Sequence, residues 1–286
     1  MSNSPEELLK AWRRGWCAAQ SYALPCRRGT SSSGSGGQRR RLSGQSLDFN
    51  DHRPYVQGDD VRHLNWRVYA TTGQLVLKTF EQEVNPWADI VLDGSRSMAY
   101  TPAKQVRWVE LAGWLVASCE RQGLKTQLYG LGVGLKSFAV FSEHLVPELF
   151  EGEPCGGLNL QIIPWRTHSL RILVSDLLFP GELKDLLFPM AQGAGAGWVY
   201  CPFDPCEAEP DWSEHLRFED VESGQQKLVS LDKPWLERYR WAYRAHVDEM
   251  AKACARVGLA QHRVTAEGPW SKVLPSLGES GAQWLG

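Results

Sequence analysis

From residue 87 onward the chain alternates short apolar runs with stretches of helical spacing, and this rhythm limits the fold more than any other property. Residues 88–92 form a short, mainly apolar run that stops at Asp93, which predicts a strand. Residues 103–122 repeat apolar side chains at helical spacing through Val106, Val109, Leu111, Leu115 and Val116. Strands are expected at 125–131 and 138–141, with a short helix at 143–150. A compact apolar strand at 171–174 ends on Ser175-Asp176. Then come a helix at 182–192, a strand at 198–203, and a hairpin of 216–219 with 227–231 around Ser223-Gly224. A long helix at 235–257, a strand at 261–265 and a helix at 270–277 close the pattern. Alternating strands and helices imply a mostly parallel sheet covered on both faces, an α/β doubly wound, Rossmann-like fold. Strands buried on both faces read as apolar runs, as Ile90-Val91-Leu92 and Ile172-Leu173-Val174 do. No internal repeat is visible.

Ahead of this domain, which spans 87–286 with a small hairpin insertion near 215–231, three segments precede it. Residues 1–28 hold a short amphipathic helix at 5–20, with Leu8, Leu9, Trp12 and Trp16 on one face. Residues 29–41 are a flexible Gly/Ser tract ending in Arg39-Arg40-Arg41, read as a solvated surface run. Residues 42–86 contain a turn marked by Pro54 and Gly58 and a strand at 75–83. Within them Tyr55, Val61, Leu64 and Trp66 are expected to pack the segment onto the main domain. Trp12 and Trp16 stand out because their helix precedes a flexible tract and can dock in trans.

Bulk properties exclude several classes. A formal net charge of -2 argues against a general nucleic-acid binder. No apolar stretch reaches the ~20 residues that span a bilayer, and the N-terminus is too polar for a signal peptide, so the cytoplasm is the expected compartment. Seven cysteines, an odd number in a long chain, do not suggest a disulfide framework, and no HExxH or paired-cysteine spacing calls for zinc.

The chemistry sits at strand ends. In an open α/β sheet, ligands bind beyond the carboxyl ends of the strands where strand order reverses. If the strands ending at Asp93 and Asp176 are neighbours, two carboxylates meet the hydroxyls of Asp93-Gly94-Ser95-Arg96-Ser97 in one crevice. All are hard oxygen ligands, which suit magnesium or another hard divalent cation rather than zinc or copper. The plainer alternative is that Asp93 and Asp176 only make Asx turns or helix caps.

At these residues the chain resembles the bacterial and archaeal family known as domain of unknown function 58. The resemblance rests on Arg53-Pro54-Tyr55, Gly58-Asp59-Asp60-Val61-Arg62, Asn65-Trp66, Lys78-Thr79-Phe80-Glu81, Asp93-Gly94-Ser95-Arg96-Ser97-Met98, Asp204-Pro205-Cys206-Glu207 and residues 239–258. It implies a von Willebrand factor A-like domain with a metal-ion-dependent adhesion site (MIDAS). It also implies partnership with a MoxR-type AAA+ ATPase in chaperone-like maturation of other proteins. The chain departs from the family where Leu64-Asn65-Trp66 replaces Ile-Asp-Trp and Ala70-Thr71 replaces Ala-Arg. It departs again at Gly156-Gly157-Leu158-Asn159, where a Gly-Gly-Thr-Asp-like loop would supply a threonine ligand. Leu158 cannot ligate a cation, which leaves the amide oxygen of Asn159.

The expected function is therefore metal-dependent protein interaction without catalysis. The expected ligands are Asp93, Ser95, Ser97, Asp176 and Asn159, and the partners a MoxR-type ATPase and an unidentified client. No P-loop and no nucleophile elbow is present. The alternatives are a metal-dependent phosphoesterase and a metal-free scaffold.

Overall fold

The computed structural model describes residues 3–22, 24, 47–55, 64–82, 87–132, 134–138, 158–178, 181–212, 215–220 and 224–273. The chain forms two compact units, residues 29–85 and the combination of 1–28 with 86–286.

In the smaller unit, β1 (Leu47–Pro54) pairs antiparallel with β2 (Val76–Gln82), with an irregularity between Phe49 and Asp51. Between them lies α2 (Trp66–Thr72), capped by the Asn65 side chain and stopped by Gly73 at φ 70°. β2 matches expectation, whereas β1 and α2 are additions. β1 has no apolar run and ends in proline, and α2 is a short helix of seven residues, five of them weak helix formers, between a cap and a left-handed glycine. Trp66 is 60 % exposed and stands edge-on to Tyr69. Residues 56–63, with Gly58 to Arg62, and the tract at 29–46 lie outside the described residues.

The larger unit is built on a six-stranded sheet. Its strands are β3 (Trp87–Asp93), β4 (Lys125–Leu131), β5 (Leu135–Phe138), β6 (Leu170–Val174), β7 (Ala196–Phe203) and β10 (Ala260–Thr265). They lie in the order β10-β7-β6-β3-β4-β5. Every neighbouring pair is parallel except β4 and β5. The chain leaves β3 toward β4 on one side and returns to β6 on the other, so strand order reverses between β3 and β6. β5 covers 135–138; of the strand expected at 138–141 only Phe138 is among the described residues, and the helix expected at 143–150 lies outside them.

Strand alternation divides the core in two. Ile90, Leu92, Ile172 and Val174 face one layer with Trp108, Leu111 and Leu115 of α3 (Pro102–Arg121). Val91, Leu173 and Val199 face the other, covered by Leu187 and Met190 of α4 (Leu183–Ala191) and by Met250 and Cys254 of the long late helix. That late helix, α6 (Lys233–Arg256), follows the short α5 (Pro205–Ala208) and the hairpin of β8 (His215–Glu219) with β9 (Gln226–Ser230). The sheet is doubly wound, and the fold is α/β and Rossmann-like.

α1 (Pro5–Ala18) starts with Pro5 behind a capping box of Ser4 and Glu7, and buries Leu8, Ala11 and Trp12 against α3. The two helices touch backbone to backbone. A Cβ on Gly15 would lie 2.0 Å from the Glu110 carbonyl oxygen, and one on Gly113 would lie 2.5 Å from that of Trp12. Glycine is required at both places by contact, not by turn geometry. Trp12, only 2 % exposed, is a core residue and not a docking side chain for a partner; Trp16 beside it is 38 % exposed. Among the described residues no helix is long and apolar enough to cross a membrane.

A candidate metal centre at the strand crossover

Asp93 ends β3 and Ser175-Asp176 follows β6, the strand beside it. The crossover therefore brings both aspartates to the carboxyl edge of the sheet. Gly94 lets the chain turn against β4: its N–H donates to the Leu131 carbonyl, and a Cβ there would lie 2.9 Å from that oxygen.

Asp93 is 4 % exposed. Its Oδ1 accepts the Ser95 N–H at 3.0 Å, an Asx turn, and its Oδ2 accepts the Ser175 hydroxyl at 2.6 Å. Both donors are neutral. Burial, reinforced by the nearby Asp176 charge, pushes the Asp93 carboxyl up to about 6, against the pull of these hydrogen bonds. The Ser95 and Ser97 hydroxyls lie 3.0 Å apart. Ser175 also accepts the N–H of Leu177 at 3.0 Å. That residue takes a left-handed φ of 54°, unusual for leucine, and its carbonyl lies 3.2 Å from His246 Nε2 on α6.

Asp176 has a different environment. Its Oδ1 accepts the Leu178 N–H at 3.1 Å, and its Oδ2 lies 2.8 Å from Nζ of Lys104, a fully buried residue of α3. Lys104 Nζ also meets Glu207 Oε1 of α5 at 2.6 Å. Burial alone would lower the Lys104 pKa, but Asp176 and Glu207 outweigh it and hold it above the ordinary lysine range. A third aspartate, Asp204, follows β7. Its Oδ2 accepts the Thr101 hydroxyl at 2.6 Å. Its carboxyl is held low, with hydrogen bonds from Thr101 and the Cys206 N–H overcoming burial.

Asp93, Ser95, Ser97 and Asp176 thus converge as their positions predict. For Asn159 the structure shows a local role. It caps a 3-10 turn at Leu160–Ile162, and its Oδ1 accepts the Gln161 N–H at 3.0 Å. Leu158 is 9 % exposed and packs in the core layer of Val91 and Leu173. Gly156-Gly157 lies outside the described residues.

The donor set fits a hard divalent cation. It offers oxygen alone, and among the described residues the buried Asp93 carboxylate contacts no cationic side chain. No group of three or more His, Cys, Asp or Glu placed to hold a metal occurs among the described residues, so the hydroxyls would have to take part. Sequence reasoning missed Lys104, Thr101, Asp204 and Glu207 beside the site. Asp204 carries the same signature as the other two, an apolar strand ending on aspartate. Lys104 has no such signature, because both of its acidic partners are distant in sequence.

A family model described as "Protein of unknown function DUF58" matches residues 51–253. No curated protein matches. Among solved structures, the chain is similar to a conserved hypothetical protein, BatB, from Bacteroides thetaiotaomicron. That pair has 11 % identity and a TM-score of 0.36, covering 69 % of this chain and 98 % of the other. An aerotolerance-related membrane protein from Bacteroides fragilis NCTC 9343 carrying multiple mutations to serines is similar at 12 % identity and a TM-score of 0.34, covering 69 % and 99 %.

Proposed function

The chain belongs to the DUF58 family, and from that premise we propose that it is a non-enzymatic, metal-dependent protein-interaction module of von Willebrand factor A type. Asp93, Ser95 and Ser97 hold magnesium or another hard divalent cation, with Asp176 alongside. The observation that carries this reading is the Asp93 carboxylate, buried at the strand crossover with only neutral donors and with a second acid nearby. A cation there relieves both the burial and the repulsion. Magnesium keeps positions free for other ligands, so an acidic side chain of a partner can complete its coordination. The partner is a MoxR-type AAA+ ATPase, acting with this protein in the cytoplasm on the maturation of a client, as the family resemblance implies. Absence of catalysis is part of the reading, since the base that hydrolysis needs beside the ion has no obvious candidate: Asp176 already faces Lys104.

The test is recovery of partners from the cognate lysate on the full-length protein, in Mg²⁺ and in EDTA. An ATPase retained only with Mg²⁺ supports both metal and partner. Retention in both conditions removes the metal from the mechanism. That outcome favours a metal-free scaffold, for which the Lys104–Asp176 pair is the supporting observation. Absence of any ATPase removes the partner.

A further inference from the structure

Lys104 sits in the first turn of α3 and is 0 % exposed. Buried lysines are rare unless paired, and this one is paired twice, with Asp176 after β6 and with Glu207 in α5. Its ammonium joins elements that begin at two different strand ends. Both oxygens of Asp176 are engaged, one by the Leu178 N–H and one by Lys104. Asp93, on the adjacent strand, has no such ion. Two aspartates meet at the crossover, then, and among the described residues only one has a cation supplied by the chain.

We propose that Lys104 is a positioning residue that acts as a tethered counter-ion. It holds Asp176 off the metal and keeps the divalent-cation affinity of the Asp93–Ser95–Ser97 loop below what two available aspartates would give. This rests on the metal reading above and deepens it. The physical argument is charge balance. A divalent ion at Asp93 is attracted by Asp176 and repelled by the Lys104 ammonium that Asp176 neutralises. A fixed unit charge a few Å from a divalent ion changes its affinity by about tenfold even at a water-like dielectric constant. A lysine that served only as a structural bolt would act with the opposite sign, because its loss would loosen the loop and weaken metal binding.

The sign is therefore the test. Mg²⁺ and Mn²⁺ affinities are measured by calorimetry on the full chain, with circular dichroism as the check on folding. Lys104→Met is expected to tighten Mg²⁺ binding by about tenfold, and Lys104→Arg, which keeps the charge, to stay near wild type. Should Lys104→Met fail to fold, the double variant Lys104→Met with Glu207→Leu removes both buried partners as apolar side chains and still frees Asp176, with tighter binding expected. Unchanged or weaker affinity in a folded variant overturns the proposal and leaves the metal reading intact. Metal binding by the variant but not by the wild type supports the counter-ion and removes the metal from the natural protein's function. Binding by neither overturns both.

Discussion

Asp89 and Asp93 lie four residues apart on β3, so the two-residue period of the strand turns both to the same face of the sheet. Both are buried. At the amino end, Asp89 accepts from the Arg166 guanidinium, from the Arg166 N–H at 3.1 Å and from the Ser169 hydroxyl at 2.8 Å. Arg166 in turn lies over the Trp87 ring, 4.1 Å from its centroid. At the carboxyl end, Asp93 accepts only from neutral groups and faces another acid. One residue type on one strand has two environments, because one end of the sheet supplies a cation and, among the described residues, the other does not. A saturated buried carboxylate serves architecture; one lacking its counter-charge is, on the proposed reading, the place where a cation would bind.

The contrast can be broken at its strongest point by Asp89→Ala. Removing this acid takes the anionic partner from a guanidinium that is 31 % exposed, while the Ser169 hydroxyl keeps the Arg166 carbonyl as acceptor. It should cost about 2–4 kcal/mol in urea unfolding, the partial exposure of Arg166 keeping it toward the lower end. A cost no greater than that of Asp93→Ala would erase the distinction. Next in size is the response to metal. Mg²⁺ at a hundred times its Kd should add about 2.7 kcal/mol to wild-type stability and nothing to that of Asp93→Asn; an equal gain in both would place the ion elsewhere.

A pH series in EDTA sharpens the comparison further. The folded Asp93 carboxyl sits at about 6 against 3.8 for an ordinary aspartate. A raised carboxyl favours the folded state while protonated, so its contribution is complete below pH 3.8. It declines as pH rises through about 6 and is flat above. Asp93→Asn should remove this component, and Mg²⁺ should suppress it in wild type. The smallest effect belongs to Asn159→Ala. Loss of one cap on an exposed 3-10 turn should cost about 0.5–1 kcal/mol and leave Mg²⁺ affinity unchanged; a weakened affinity would restore Asn159 as a ligand.

The sheet and most helices are legible in the sequence because their periodicities are local and their apolar runs continuous, as in Ile90-Val91-Leu92. The crossover pairing of Asp93 and Asp176 is legible too, since both follow from where an apolar strand stops. β1 and α2 are not, because β1 carries no apolar run and α2 is too short, and too rich in β-branched and aromatic residues, to show a helical period. Asn159, expected among the metal ligands, caps the turn at Leu160–Ile162 by accepting the Gln161 N–H, a local hydrogen bond that spacing does not reveal. Lys104 stays hidden for another reason. Its partners lie 72 and 103 positions away, and only the stacking of β3, β6 and β7 side by side brings them to one ammonium.

The glycine-to-backbone crossing of α1 on α3 has a consequence for the chain as a connected object. α1 belongs to the same body as residues 86–286, while the unit of 29–85 lies between them in sequence. That unit is an insertion, tethered at both ends to one body. A single proteolytic nick just after Arg28 would therefore leave a two-fragment protein that stays assembled, held by Leu8, Ala11 and Trp12 under the crossing. Its unfolding would become bimolecular on return, so its melting temperature would rise with protein concentration, which that of the uncut chain would not.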